Sequence, residues 1–144
     1  MIILEETMEV LNELVKSKKV LYIGCSALLP YQLLKANMIA RRNGLAEFIF
    51  IQNHYNLIYR EEEREMTQLL EEEKIVITPY SPLAEGRLCR LYTDEKTKRS
   101  SNDSGNEKNI DMQKDIDNPI IQSVKELSEK KSNKGLNSFS LVFI

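Results

Sequence analysis

The sequence predicts an α/β protein in which parallel strands are joined by helical crossovers. Two observations carry this. Stretches with helical apolar spacing alternate with short apolar runs, in the order helix, strand, helix, strand, helix, strand. The runs lack polar alternation, as strands covered on both faces do. At this spacing the pattern means parallel pairing and right-handed connections. The chain has 144 residues, 42 % hydrophobic and 29 % charged, which is one domain's worth of an ordinary globular sequence.

The first helix is expected over 4–17. Leu4, Met8, Leu11, Leu14 and Val15 share one face, and Glu5, Glu6, Glu9, Glu13 and Lys16 take the other. Acid near its start and Lys16, Lys18 and Lys19 near its end suit the helix dipole. The first strand is then Val20-Leu21-Tyr22-Ile23, closed by Gly24. Pro30 opens the second helix at its first turn, and Asn43-Gly44 stops it. Leu33, Leu34, Ala36, Met38, Ile39 and Ala40 are its apolar residues. Phe48-Ile49-Phe50-Ile51 is the second strand. A third helix is expected over 61–73, with acid at its start and Met66, Leu69 and Leu70 facing inward. Ile75 to Pro79 is the third strand, and Pro79 is expected to end ladder pairing.

Residues 1–92 form this ordered part. The polar, mixed-charge stretch 93–118 holds too few large apolar groups to offset its ordering entropy and reads as a disordered loop. Ile120, Val124 and Leu127 suggest a further helix over 119–131. The tail 132–144, SNKGLNSFSLVFI, fits no element and reads as if the coding frame had been lost.

A formal net charge of −2 gives no basic field for nucleic acid and no cationic face for a membrane surface. No run approaches the roughly 18 apolar residues that cross a bilayer. Acid in MIILEETMEV argues against a secretory signal, so a cytoplasmic protein is expected. Cys25 and Cys89 suit a reducing compartment and, with one histidine in the chain, do not form a zinc set. Cys25 reads as a small filler in a tight turn, against a reactive thiol.

Function is read from the strand ends. The run FIFIQNHYN turns from apolar to amide within a few residues. The first strand leads into Gly24-Cys25-Ser26, the second into Gln52-Asn53-His54, the third into Tyr80-Ser81. In a parallel sheet these ends lie on one side, where barrel enzymes keep their sites. Tyr80 offers a ring to stack on, Ser26 and Gln52 offer partners for a carboxamide, and Gly24 allows close approach. Together they suit a flat heteroaromatic amide. Any one of them could instead cap a strand or fill a turn, and His54 reads as a turn residue.

The stretches LEETMEVLNELVKSKKVLYIGCSALLPYQLLKA, QNHYNLIYREEEREM and ITPYSPLAEGRL resemble the aldo-keto reductase family, most closely its fungal aryl-alcohol dehydrogenase-like branch. The resemblance implies an incomplete (β/α)8 barrel, with strands matching the fifth to the seventh. It implies NADP as cofactor, and small aromatic aldehydes or alcohols as substrates. It places Ser26 and Gln52 on the nicotinamide carboxamide, Tyr80 on the nicotinamide ring, and Ser81, Leu83, Gly86 and Arg87 along the pyrophosphate. Two positions depart from the pattern. Ala27 stands where many members have an asparagine, and Glu85 puts a carboxylate near a phosphate site.

The family's catalytic Asp, Tyr, Lys and His match no residue of this chain and are expected to precede residue 1. Lys35 and Lys74 read as solvated helix residues. A barrel usually needs about 250 residues. A three-stranded arc is therefore expected to be weakly stable, open at its edges, and either an inactive remnant or a fragment that associates with another barrel chain.

Overall fold

The structure is a computed structural model that describes residues 4–89 and 107–131. Its described residues fall into two compact units. One comprises residues up to Tyr55 together with Glu61–Tyr80; the other comprises Asn56–Arg60 and the residues from Ser81 onward.

The first unit contains helices α1 (Leu4–Lys16), α2 (Pro30–Asn43) and α3 (Met66–Glu73), and strands β1 (Ile23–Ser26), β2 (Phe48–Gln52) and β3 (Val76–Ile77). The strands form one parallel sheet in the order β1-β2-β3. Strand, helix, strand repeats along the chain as the sequence predicts. Met8, Leu33, Ala36, Ala40 and Ile51 are fully buried in a core that also takes in Ile23, Phe48, Met66, Leu70 and Ile75. The helix α2 ends where Asn43-Gly44 signals it. Gly44 has φ 64°, and the following amide of Leu45 donates to the Ala40 carbonyl at 2.9 Å.

Three elements differ from expectation. The first strand begins at Ile23, not Val20. Residues 17–20 are bound back onto the end of α1, through amides of Ser17, Lys19 and Val20 to carbonyls of Glu13 and Leu14. Leu21 and Tyr22 are accordingly 79 % and 68 % exposed. The third helix begins at Met66, preceded by a 3-10 turn over Glu61–Glu63. The acids of this turn are used as acceptors: Glu62 takes a hydrogen bond from Asn53 and Glu63 one from Tyr55. Pro79 does not end the pairing. The Thr78 amide donates to the Ile51 carbonyl and the Tyr80 amide to the Asn53 carbonyl, with a further parallel bridge between His54 and Tyr80. In a parallel ladder the amides facing one neighbour alternate, so the missing donor at Pro79 falls on the side away from β2.

Polar residues hold this core as firmly as apolar ones. The carboxamide of Asn37 accepts from the Phe48 amide at 2.9 Å and donates to the Phe48 carbonyl at 3.0 Å. Asn12 accepts from the Ala46 amide at 3.0 Å. Arg41 on α2 bridges Glu47, ahead of β2, and Glu73 at the end of α3.

The second unit is built on helix α4 (Glu107–Lys131) and a 3-10 segment over Ala84–Cys89. The last helix begins at Glu107, well before the expected Pro119, which lies inside it. Asp117, Ile121, Val124 and Ser128 make its buried face at steps of three and four, whereas Leu127 is exposed. Ile121 packs with Ala84 and Leu88, joined by Leu57 and Ile58. Of the expected loop over 93–118, residues 107–118 are helical, and 93–106, like the tail 132–144, lie outside the described residues.

Candidate functional site

The first unit gathers the C-terminal ends of its three strands. Ser26 and Gln52 are register partners across β1 and β2. The Ser26 hydroxyl donates to the Gln52 carbonyl at 2.9 Å, which leaves its lone pairs to accept. The Gln52 side chain is exposed. Tyr80 is tied beside them by its amide on the Asn53 carbonyl at 3.0 Å. The structure thus brings Ser26, Gln52 and Tyr80 to one sheet edge.

Two neighbours alter the expected detail. His54 stacks on Tyr80, with ring centroids 4.9 Å apart and planes 10° from parallel. The imidazole is therefore more than a turn residue: it braces one face of the ring, which is still 44 % exposed as a residue. At Gly24, a Cβ would lie 2.3 Å from the Phe50 ring. The space that glycine opens is filled by Phe50.

The residue that joins these ends is Asn53, which is buried. Its Oδ1 accepts from the Ala27 amide at 3.0 Å, and its Nδ2 donates to Glu62 at 2.6 Å. The sequence offers only the amide run QN as a signal for it. A carboxamide between two strand ends acts as a polar rivet, because it can accept from one backbone and donate to a carboxylate at once.

The turn Ser81–Arg87 belongs to the second unit. Ser81, Ala84, Glu85 and Gly86 all have positive φ, so the chain coils tightly there. Amides of Ala84, Gly86 and Leu88 donate to carbonyls of Ser81 and Leu83. The Asn56 carboxamide donates to the Ser81 carbonyl at 3.0 Å. Arg87 is held by Asp117 of α4 at 2.8 Å. The resemblance places this guanidinium on a pyrophosphate. Its structural partner is a carboxylate 2 % exposed, which needs a counter-charge.

Burial pushes the Cys25 thiol up from 9.0 to about 11, against a weaker opposing hydrogen bond to the backbone. At pH 8 this leaves about a hundredfold less thiolate than an unhindered thiol, so Cys25 alkylates slowly with iodoacetamide in the native chain and quickly in urea. The sign for stability follows. The unfolded thiol ionises first as pH rises, so its contribution is complete below about 9 and lost by about 11. Replacing Cys25 by alanine removes that part of the alkaline decline.

The C-terminal strand ends of a parallel α/β sheet are where barrel enzymes keep their sites. The model of the aldo/keto reductase family matches residues 3–139, and the chain belongs to that family. It is 42 % identical over 127 residues to an aldo-keto reductase of Metarhizium robertsii, covering 88 % of this chain and 34 % of that protein. It is 39 % identical over 128 residues to a versiconal hemiacetal acetate reductase of Aspergillus parasiticus, covering 88 % and 37 %. A Schizosaccharomyces pombe protein assigned by name to the aryl-alcohol dehydrogenases is 44 % identical over 100 residues, covering 69 % and 31 %. The chain therefore spans about a third of the length of these curated relatives. Among solved structures, a glycerol dehydrogenase of Gluconobacter oxydans superposes with a TM-score of 0.71 at 21 % identity, over 95 % of this chain and 40 % of that one. The three-stranded sheet and its helices are thus an arc of a (β/α)8 barrel.

The strand-tip groups fit the nicotinamide end of a dinucleotide. An exposed carboxamide, a hydroxyl with free lone pairs and a braced aromatic ring match the donors, acceptors and flat face of that ligand. Among the described residues, no helix is long and apolar enough to cross a membrane.

Proposed function

We propose that the strand tips of this chain bind the nicotinamide of NADP, as part of an oxidoreductase that interconverts aromatic aldehydes and alcohols. One observation carries this: Ser26, Gln52 and Tyr80, from three different strand ends, stand together on one edge. Gln52 and Ser26 hold the carboxamide, and Tyr80, braced by His54, supports the ring. When bound, the nicotinamide supplies hydride chemistry. The name of one fungal relative, an aryl-alcohol dehydrogenase, supports aromatic alcohols and aldehydes as substrates.

We read the gathered groups as serving to recognise a ligand rather than to relay a proton. We therefore assign the 144-residue chain cofactor binding without turnover. The test uses NADPH and reduced nicotinamide mononucleotide as titrants, followed by nicotinamide fluorescence. Both bind the chain, and Gln52→Ala and Tyr80→Ala each weaken binding about tenfold, the value of one lost hydrogen bond or stacking contact. NADPH oxidation with veratraldehyde stays at background. Turnover that disappears in Gln52→Ala or Tyr80→Ala defeats the non-catalytic assignment, and absence of binding by either titrant defeats the site.

A second reading rests on exposed apolar residues of the sheet and its approaches, Leu21, Tyr22, Ile49 and Val76. It makes the chain a piece that pairs with another barrel chain. A chain that sediments as a monomer and captures no full-length relative ends this reading.

A further inference from the structure

We propose that Asn53 is the positioning residue of the strand-tip site, holding the Ser26–Ala27 turn and Tyr80 in register with Gln52; this rests on the nicotinamide reading above. The argument begins with backbone. Ala27 has φ 53°, a left-handed conformation that a non-glycine residue adopts only at a steric cost. Something must hold it there. Its amide donates to the Gln52 carbonyl at 3.2 Å and to Asn53 Oδ1 at 3.0 Å. The side chain of Asn53 thus fixes the turn that carries Ser26 on one flank, while its main-chain carbonyl fixes Tyr80 on the other. Its own orientation is set by Glu62, because a carboxylate accepts only from the amide nitrogen. The chain Glu62, Asn53, Ala27 therefore decides where the Ser26 hydroxyl stands relative to Gln52. Asn53 is buried and offers no group to the ligand, so its effect on binding passes through the residues it holds.

The polarity of this bracket can be inverted, which separates positioning from mere packing. In Asn53→Asp two carboxylates face each other, and their repulsion draws the side chain at 53 away from the Ala27 amide. Adding Glu62→Gln lets the new amide donate to the carboxylate at 53, which still accepts from the Ala27 amide. NADPH binding is expected to weaken about tenfold in Asn53→Asp and to return to within about threefold in the double variant, with Glu62→Gln alone close to the parent. Unchanged binding in Asn53→Asp, or a double variant no better than the single, overturns the proposal. If Asn53→Asp does not fold, Glu62→Ala decides: it removes the orienting acceptor, and binding about fivefold weaker is expected, where equal binding overturns. Hydrogen exchange at the Ala27 amide gives a readout free of ligand. It should accelerate about tenfold in Glu62→Ala. If the parent chain binds neither NADPH nor reduced nicotinamide mononucleotide, the nicotinamide reading falls. Exchange at Ala27 then decides the bracket alone: acceleration supports it, and an unchanged rate overturns it.

Discussion

Replacing Asn37 by leucine lowers the stability of the first unit by about 3 kcal/mol, although leucine has the same branched heavy-atom skeleton and greater hydrophobicity. The reason is the partner left behind. The Asn37 carboxamide closes a ring of two hydrogen bonds with the backbone of Phe48, at 2.9 and 3.0 Å, and Asn37 is only 1 % exposed. Leucine strands a buried amide and a buried carbonyl, each costing about 1 to 3 kcal/mol, and its gain in apolar burial offsets only part of this. Asn12 supplies a control, because it satisfies a single backbone donor, the Ala46 amide. Asn12→Ala should cost roughly half as much. Urea unfolding followed by far-ultraviolet circular dichroism measures both. Equal losses at the two positions would show that the number of backbone partners does not set the cost. Asn37→Asp sharpens the point. Its carboxylate faces the Phe48 carbonyl, so the variant is weakest when ionised. It recovers relative to the parent as pH falls, because a protonated acid can donate again.

The helices, their stops and the strand tips were legible in the sequence, because their signals are local. Pro30 and Gly44 bound α2 through their own backbone preferences, and an apolar run ending in Gln52 marks a strand whose tip is exposed. What escaped is made by distant pairing. Asn37 and Asn12 carry no signal in the sequence, since nothing near them announces the backbone groups they serve. The first strand was placed three residues early because Val20-Leu21-Tyr22 is apolar enough for a strand. The end of α1 claims the Val20 amide, and the sheet pairs from Ile23 onward. At the candidate site, Ser26, Gln52 and Tyr80 could be placed by topology alone. The Asn53 bracket and the His54 stack could not, since each depends on where side chains from separate segments meet. The last helix shows the converse. Counting apolar residues over 93–118 predicted a loop, yet α4 reaches back to Glu107. Its buried face includes a charge, Asp117, which hydrophobic periodicity does not register.

That buried charge sets the other large effect. Arg87→Ala destabilises the second unit by about 3 to 5 kcal/mol, because it takes the guanidinium away from the Asp117 carboxylate in a site 2 % exposed. The Coulombic gain of such a pair is largely cancelled by the desolvation of both charges, so the pair itself is worth little. Its removal in halves is what costs. Arg87→Met combined with Asp117→Leu should accordingly return to within about 1 kcal/mol of the parent, while Arg87→Lys recovers only part of the loss, lacking the planar fork. The measurement is unfolding by urea in the parent and these three variants, with hydrogen exchange along α4 to localise the change. The same residue carries the family expectation of a pyrophosphate contact, and the two roles leave opposite marks. A guanidinium that serves chiefly the ligand leaves stability intact in Arg87→Ala and weakens NADPH binding in proportion to salt-sensitive charge lost. A guanidinium that serves chiefly Asp117 loses stability in the single variant and regains it in the double, whatever happens to the ligand. The 2.8 Å bond to a buried carboxylate favours the second outcome, since the guanidinium that would meet a phosphate is already engaged by Asp117.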